Sequence, residues 1–146
     1  MNTHKAIAII GGGAAGFFSA ICAAQLAHQN SLSPDIRIFE SSEQYLKKVK
    51  ISGGGRCNVT NNCFDINLFC QNYPRGSREL LSPMQRFQAK DTVEWFKKAG
   101  VQLIAEADGR MFPNTNSSQT IIDCFFNMIE KFHIKFMPNC TVKAIE

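Results

Sequence analysis

A run of five apolar residues, Ala6-Ile7-Ala8-Ile9-Ile10, stops abruptly at Gly11-Gly12-Gly13, and Gly16 follows after Ala14-Ala15. The short Ile-rich run reads as a strand buried on both faces, the usual state of a strand in a parallel sheet. Glycines directly behind it call for a tight turn. The alanine-rich stretch from Ala14 to about Ala27, with Phe17, Phe18, Ile21, Cys22 and Leu26 as apolar contacts, then continues as a helix. His28 to Pro34 breaks the pattern, and Ile36-Arg37-Ile38-Phe39 resumes as a second strand ending at Glu40. The sequence therefore predicts an α/β chain built on a strand, helix, strand crossover between parallel neighbours, a Rossmann-like arrangement.

Within that unit Gly11, Gly13 and Gly16 spell G-x-G-x-x-G at a strand-to-helix turn. The first glycine permits the turn, the second lets backbone approach a pyrophosphate, and the third allows close packing of helix on strand. The helix start offers unpaired N–H groups and partial positive charge to an anion. Glu40, at the end of the next strand, is placed to accept hydrogen bonds from ribose hydroxyls. Ser41 and Ser42, rather than an arginine, follow the acid, which favours an unphosphorylated adenosine ribose, as in FAD or NAD, over NADP.

A second constellation is Ile51-Ser52-Gly53-Gly54-Gly55-Arg56-Cys57-Asn58-Val59-Thr60-Asn61. Successive glycines present several backbone N–H groups to one anionic or carbonyl-rich ligand, and Arg56 adds a planar fork of donors. Lys47, Lys48, Lys50 and Arg56 concentrate positive charge there with no acid among them. A phosphate partner fits that stretch, and so does a solvated basic face. Residues 41 to 90 otherwise read as mostly irregular, a long cofactor loop holding Asn61-Asn62 and Tyr73-Pro74-Arg75-Gly76-Ser77. Beyond it, Asp91 with Glu94 predicts a capped helix to Ala99 with Gly100 as its left-handed stop, and Val101 to Ile104 a strand. Ile121, Ile122, Phe125, Phe126, Ile129 and Phe132 predict a helix over 118–132. His133 to Met137 and Thr141 to Glu146 predict final strands.

Composition bounds the function classes. With 45% apolar and 19% charged residues the chain is not of the disordered or collagen-like kind, and its 146 residues fit one domain. No apolar stretch approaches the length of a membrane span, and Met1 to Lys5 leads into no long apolar signal, so a cytoplasmic protein without a membrane partner is expected. The net charge of +4 is too mild to indicate nucleic acid by itself, and none is expected as a partner. Cys22, Cys57, Cys63, Cys70, Cys124 and Cys140 have no metal-knuckle or redox-pair spacing, so free thiols and no metal site are expected. Trp95, Phe96, Phe125 and Phe126 read as core, His133 as structural, and Glu94, Glu106 and Asp108 as cap and surface groups. No catalytic residue is assigned.

The motifs GGGAAG and ISGGGRCNVTN, followed by Asp91-Thr92 and Gly109-Arg110-Met111-Phe112-Pro113, resemble the NAD(P)/FAD-dependent oxidoreductase family that includes aminoacetone-oxidase-type and bile-acid-reductase-type flavoproteins. The resemblance covers almost the whole chain. It implies the N-terminal portion of a longer flavoprotein with two dinucleotide-binding folds, completed by a C-terminal portion of the same protein. By the same resemblance Gly11, Gly13 and Gly16, with Ala14 and Ala15 beside them, hold the FAD pyrophosphate. Glu40 binds the adenosine ribose, and Lys48 joins the cofactor residues. Ser52, Gly53, Gly54, Gly55, Arg56, Cys57 and Asn58 lie along the ribityl and isoalloxazine end, and the backbone of Val142 meets adenine. Leu46-Lys47-Lys48 departs from the family's Gly-Arg/Lys-Lys at that place. The implied activity is hydride transfer between FAD and a small-molecule substrate or NAD(P)H. The alternatives are a catalytically inactive dinucleotide-binding remnant and a flavoprotein acting on RNA through the Lys47 to Arg56 stretch.

Overall fold

A computed structural model describes residues 6–145. In order, the elements are β1 Ala6–Ile10, α1 Ala14–Gln29, β2 Asp35–Phe39, α2 Lys47–Gly55, β3 Thr60–Asn61, α3 Ile66–Gln71, α4 Ser77–Arg86, α5 Ala89–Lys98, β4 Leu103–Ala105, β5 Arg110–Pro113, α6 Ser118–Lys131 and β6 Lys135–Met137. The described residues fall into two compact units, one made of 6–51 with 122–145 and the other of 52–121.

The first unit is the expected strand, helix, strand crossover. β1 pairs with β2 in parallel, Ala6 opposite Asp35 through Ile10 opposite Phe39, and β6 joins the far side of β2, also parallel. Backbone bonds continue past the strand ends, Gly11 N–H to Phe39 O at 2.8 Å and Glu40 N–H to Met137 O at 3.0 Å, which brings the glycine turn and Glu40 to the same end of the sheet. The core is aromatic. Phe17 on α1 is fully buried, with Phe125, Phe126 and Phe136 ring centroids 5.5 to 5.9 Å away. Ile21, Ile36 and Ile38 complete it.

β1 differs from its expected burial on both faces. Its residues alternate exposed and half-buried, and Ile10 is 57% exposed. The reason is its place in the sheet order β1-β2-β6: among the described residues it is an edge strand, paired on one side only. The expected last strand is also absent. Thr141 to Ile145 carry no regular structure, and Glu146 lies outside the described residues.

The second unit corrects the expectation of a long irregular segment. The stretch 41–90 holds α2, β3, α3 and α4. Of the two signals that read as loop, Asn61 ends β3 and the turn before Ser77 leads into a helix. Asp65 caps α3 by accepting the Leu68 N–H at 2.9 Å, and Gly76, at φ +81, opens α4. α5 starts two residues before Asp91, whose carboxylate accepts the Gln88 N–H at 2.8 Å, so the acid is the third helical residue and not the cap. Gly100 stops the helix in the left-handed region as expected, at φ +87. β3, β5 and β4 form an antiparallel sheet in that order, with Phe96, Leu103, Met111 and Phe112 buried. β5 and its hairpin turn at Gly109 were not legible as a strand in Arg110-Met111-Phe112-Pro113, which is short and ends in proline.

Candidate functional site

In the first unit the three motif glycines do separate jobs. Gly11 stands at φ +105, a backbone that side-chain-bearing residues rarely adopt. A Cβ on Gly16 would lie 1.9 Å from Gly11 O, so α1 sits as close to the turn as it does only because Gly16 has no side chain. Gly13 is the N-cap of α1, and a Cβ there would meet nothing within 4 Å. No side chain caps the helix and no acid lies in its first turn, so its N-terminal partial charge is left for an external anion.

Glu40 faces this turn. Its Oε2 accepts the Gly12 N–H at 2.7 Å, while Oε1 accepts the Ser42 N–H at 2.9 Å, the Ser42 hydroxyl at 2.9 Å and the Ser41 hydroxyl at 3.2 Å. The Ser42 and Gly12 amides, with the serine hydroxyls, hold the carboxyl down at about 2. Glu40 is thus first a clamp between β2 and the glycine turn. Oε2, with one donor against the three on Oε1, keeps acceptor capacity for a ribose hydroxyl. Because the folded carboxyl titrates below its ordinary value of 4.5, the clamp's contribution is fully present above about pH 4.5 and is lost as pH falls toward about 2. The stability gap between the native chain and Glu40→Gln, read by urea unfolding, is therefore expected to be constant from neutral pH to about pH 5 and to close between there and about pH 2. A gap independent of pH would contradict the clamp.

These groups open onto a concavity of about 530 Å³ lined by Gly13, Ala14, Ala15, Glu40, Lys47 and Lys48, among others. Five of the residues read from the sequence are brought together here: Gly13, Ala14, Ala15, Glu40 and Lys48. Gly11 and Gly16 shape the turn without lining it, and Val142 is neither a lining residue nor in a strand. Gly12, Ser42, Gln44 and Leu46 were missed as site residues. Leu46 donates its N–H to Gly12 O at 2.9 Å with φ +50 while its side chain is buried, so a leucine takes the left-handed conformation where the resemblance expects glycine. Its burial against the unit compensates the backbone cost.

The second constellation lies in the other unit. The chain leaves helical geometry at Ser52, whose ψ is 142°, and runs through Gly53 and Gly54 at φ +57 and +70 and Gly55 at φ +86. Ser52 O accepts the Cys57 N–H at 2.9 Å and closes the loop. Arg56 donates Nε–H to Gly53 O at 3.2 Å, pairs with Glu106, and lays its guanidinium 4.0 Å from the centre of the Phe112 ring. Glu106, expected as a surface acid, is the partner that fixes Arg56, and Arg110 reaches the same carboxylate. The motifs SGGGRCN and GRMFP are therefore one packed cluster. Cys57 is buried, and loss of solvation pushes its thiol up to about 11, which keeps it protonated and poorly nucleophilic at neutral pH. All six cysteines are unpaired.

A parallel sheet, a glycine turn leading to an uncapped helix, and an acid clamped at the end of the second strand define a dinucleotide-binding Rossmann domain. The chain belongs to the HI0933-like protein Rossmann domain family, whose model matches residues 5–146. It is 27% identical over 140 residues to a 3-dehydro-bile acid delta(4,6)-reductase of Clostridium scindens, covering 96% of this chain and 32% of that protein. It is also 28% identical over 137 residues to a ribosomal RNA dihydrouridine synthase of Escherichia coli, covering 94% and 32%. The protein of the same name from Haemophilus influenzae is 27% identical over 147 residues, covering 100% and 34%. The chain thus spans about a third of the length of these relatives. Among the described residues no helix is long and apolar enough to cross a membrane.

Proposed function

We propose that this chain is the FAD-holding part of an oxidoreductase that reduces a carbon–carbon double bond conjugated to a carbonyl. The single observation that carries the cofactor is the uncapped N-terminus of α1 beside the Glu40 clamp, both facing one concavity with room at Gly13. That donor and acceptor set fits a pyrophosphate followed by a ribose. Gly13, Ala14 and Ala15 offer amides to the pyrophosphate, with Lys47 and Lys48 adding charge, and Oε2 of Glu40 accepts from the ribose. The Gly53 to Gly55 segment is assigned to the flavin end by family resemblance. Its amides, rather than the Arg56 guanidinium already paired with Glu106, are the donors for negative charge there.

Bound FAD supplies hydride acceptance and release, with NAD(P)H as the proposed electron donor. The substrate class follows from the relatives' names. A 3-dehydro compound unsaturated at positions 4 and 6 and a uracil ring both present an alkene in conjugation with a carbonyl, and saturation of that alkene is the change each name describes. The competing reading is a catalytically inactive dinucleotide-binding remnant. Titration of the purified chain with FAD, followed by visible absorption, tests the cofactor, and bleaching of the bound flavin by NADH or NADPH separates the two readings. Shifted flavin bands with a saturable endpoint are expected, and a spectrum equal to free FAD at every ratio would sink the proposal.

A further inference from the structure

We infer that Ser42 decides which ribose the cofactor site accepts. With Ser41 and Gly12 it forms an anion pocket that the Glu40 carboxylate fills from within the protein, so that a bare ribose enters and one carrying a 2′-phosphate is refused. The inference rests on the reading just given, in which this concavity seats a pyrophosphate and a ribose, and adds what the donors around the acid do.

Four donors converge on one carboxylate: the Gly12 and Ser42 amides at 2.7 and 2.9 Å, the Ser42 hydroxyl at 2.9 Å and the Ser41 hydroxyl at 3.2 Å. Amides and hydroxyls gathered on one point are also what the oxygens of a phosphate require. Ser42 supplies two of the four. Its hydroxyl also stands 2.9 Å from Gln44 O, and one hydroxyl hydrogen serves one acceptor at a time. Ser42 therefore keeps a partner when the carboxylate is taken away, and its side chain stays in place. The seat is close-fitting, since a Cβ on Gly12 would lie 2.9 Å from Glu40 Cβ. Gly12, Glu40, Ser42, Lys47 and Lys48 line the same concavity, and neither lysine is in an ion pair among the described residues. The lysines thus offer the positive charge that an arginine supplies where a 2′-phosphate is accepted. Glu40 cancels it. Its carboxyl is held down at about 2 by these same donors, so at neutral pH it is ionised and consumes them. A 2′-phosphate brought beside it meets like charge and finds no free donor, whereas a 2′-hydroxyl donates to Oε2.

The test is isothermal titration calorimetry of the 146-residue chain with ADP-ribose and with 2′-phospho-ADP-ribose, at about pH 7.5, where the extra phosphate is largely dianionic. The native chain is expected to prefer ADP-ribose at least about a hundredfold. Glu40→Ala empties the pocket and is expected to reverse the preference, to about tenfold in favour of the phosphorylated probe. Glu40→Gln removes the charge but still fills the pocket, so it is expected to bind 2′-phospho-ADP-ribose at least about tenfold more weakly than Glu40→Ala does. On the Glu40→Ala background, Ser42→Ala is expected to cut the ratio of the two affinities about tenfold, and Ser42→Thr, which keeps amide and hydroxyl, to leave it within about twofold. Far-UV circular dichroism establishes that each variant is folded, and Glu40→Ser, which also empties the pocket, takes the place of Glu40→Ala if that chain does not fold. Equal binding of the phosphorylated probe by the Gln and Ala variants would mean that charge alone decides, and would overturn the inference. So would a reversed preference that Ser42→Ala leaves untouched, or a folded Glu40→Ala chain with no gain for the phosphorylated probe. Each of these leaves the cofactor reading standing as long as the native chain binds ADP-ribose or FAD. A folded native chain that binds neither removes the cofactor reading and the inference together.

Discussion

Gly13→Glu is expected to leave the fold intact and to weaken FAD binding at least about a hundredfold. The two effects separate because of where this glycine stands. Its φ of −88° and ψ of −178° are open to any residue, and a Cβ meets nothing within 4 Å, so the free protein accommodates a side chain without strain. The space that the side chain fills is the concavity at the start of α1, and its carboxylate competes for the helix N-terminus with the pyrophosphate. Juxtaposed like charges cost several kcal/mol, and about 2.7 kcal/mol is a hundredfold in affinity. Gly16→Ala provides the contrast. Its Cβ would overlap Gly11 O, a backbone atom that cannot swing aside, so thermal stability and FAD affinity are expected to fall together. Retention of full FAD affinity by a folded Gly13→Glu chain would place the cofactor elsewhere.

The contrast also marks what was legible beforehand. β1, α1, β2, the turn at Gly11, the close approach at Gly16 and the place of Glu40 at the end of β2 were all readable because each rests on a local signal: an apolar run, a glycine at fixed spacing, an acid at a strand end. The burial of β1 was misread because it depends on which strands flank it, and no residue in Ala6 to Ile10 carries that information. Ser42 was noticed only for not being arginine. Its actual part, holding Glu40 with both its amide and its hydroxyl, depends on the turn the chain makes after β2. Leu46 gave no signal, since a buried leucine at positive φ defies the usual residue preference. Arg56 and Glu106 are 50 positions apart, and only the antiparallel sheet of the second unit brings them within reach. The short helices α3 and α4 lie in a segment whose Asn-Asn pair and Tyr73 to Ser77 turn read as loop, and α4 holds a proline, Pro83, within it.

Gly53→Ala is expected to destabilise the second unit by about 3 kcal/mol, and the size of the effect bears on why two distant motifs occur together. Residues at φ near +57° cost about 1 kcal/mol when they carry a Cβ. The rest comes from contact: the new methyl would lie 2.7 Å from Cε1 of Phe112 and 3.0 Å from the Asn58 backbone nitrogen. Phe112 is buried, with the Arg56 guanidinium over its ring, and has little freedom to move aside. Overpacking of that kind costs about 1 to 3 kcal/mol. Gly54→Ala isolates the two contributions, because Gly54 has a similar φ of +70 with nothing within 4 Å and should lose only the backbone share, about 1 kcal/mol. Combining Gly53→Ala with Phe112→Leu should cost less than the sum of the single changes by about 1 kcal/mol in urea unfolding, since the smaller side chain makes room for the methyl. Additive costs, or equal losses at Gly53 and Gly54, would mean that the ring does not set the loop. With the expected coupling, the glycines of SGGGRCN and the phenylalanine of GRMFP are two sides of one contact: the ring needs a residue without a side chain beneath it, and the left-handed turn that presents the Gly53 to Gly55 amides needs the ring and Arg56 to hold it in place.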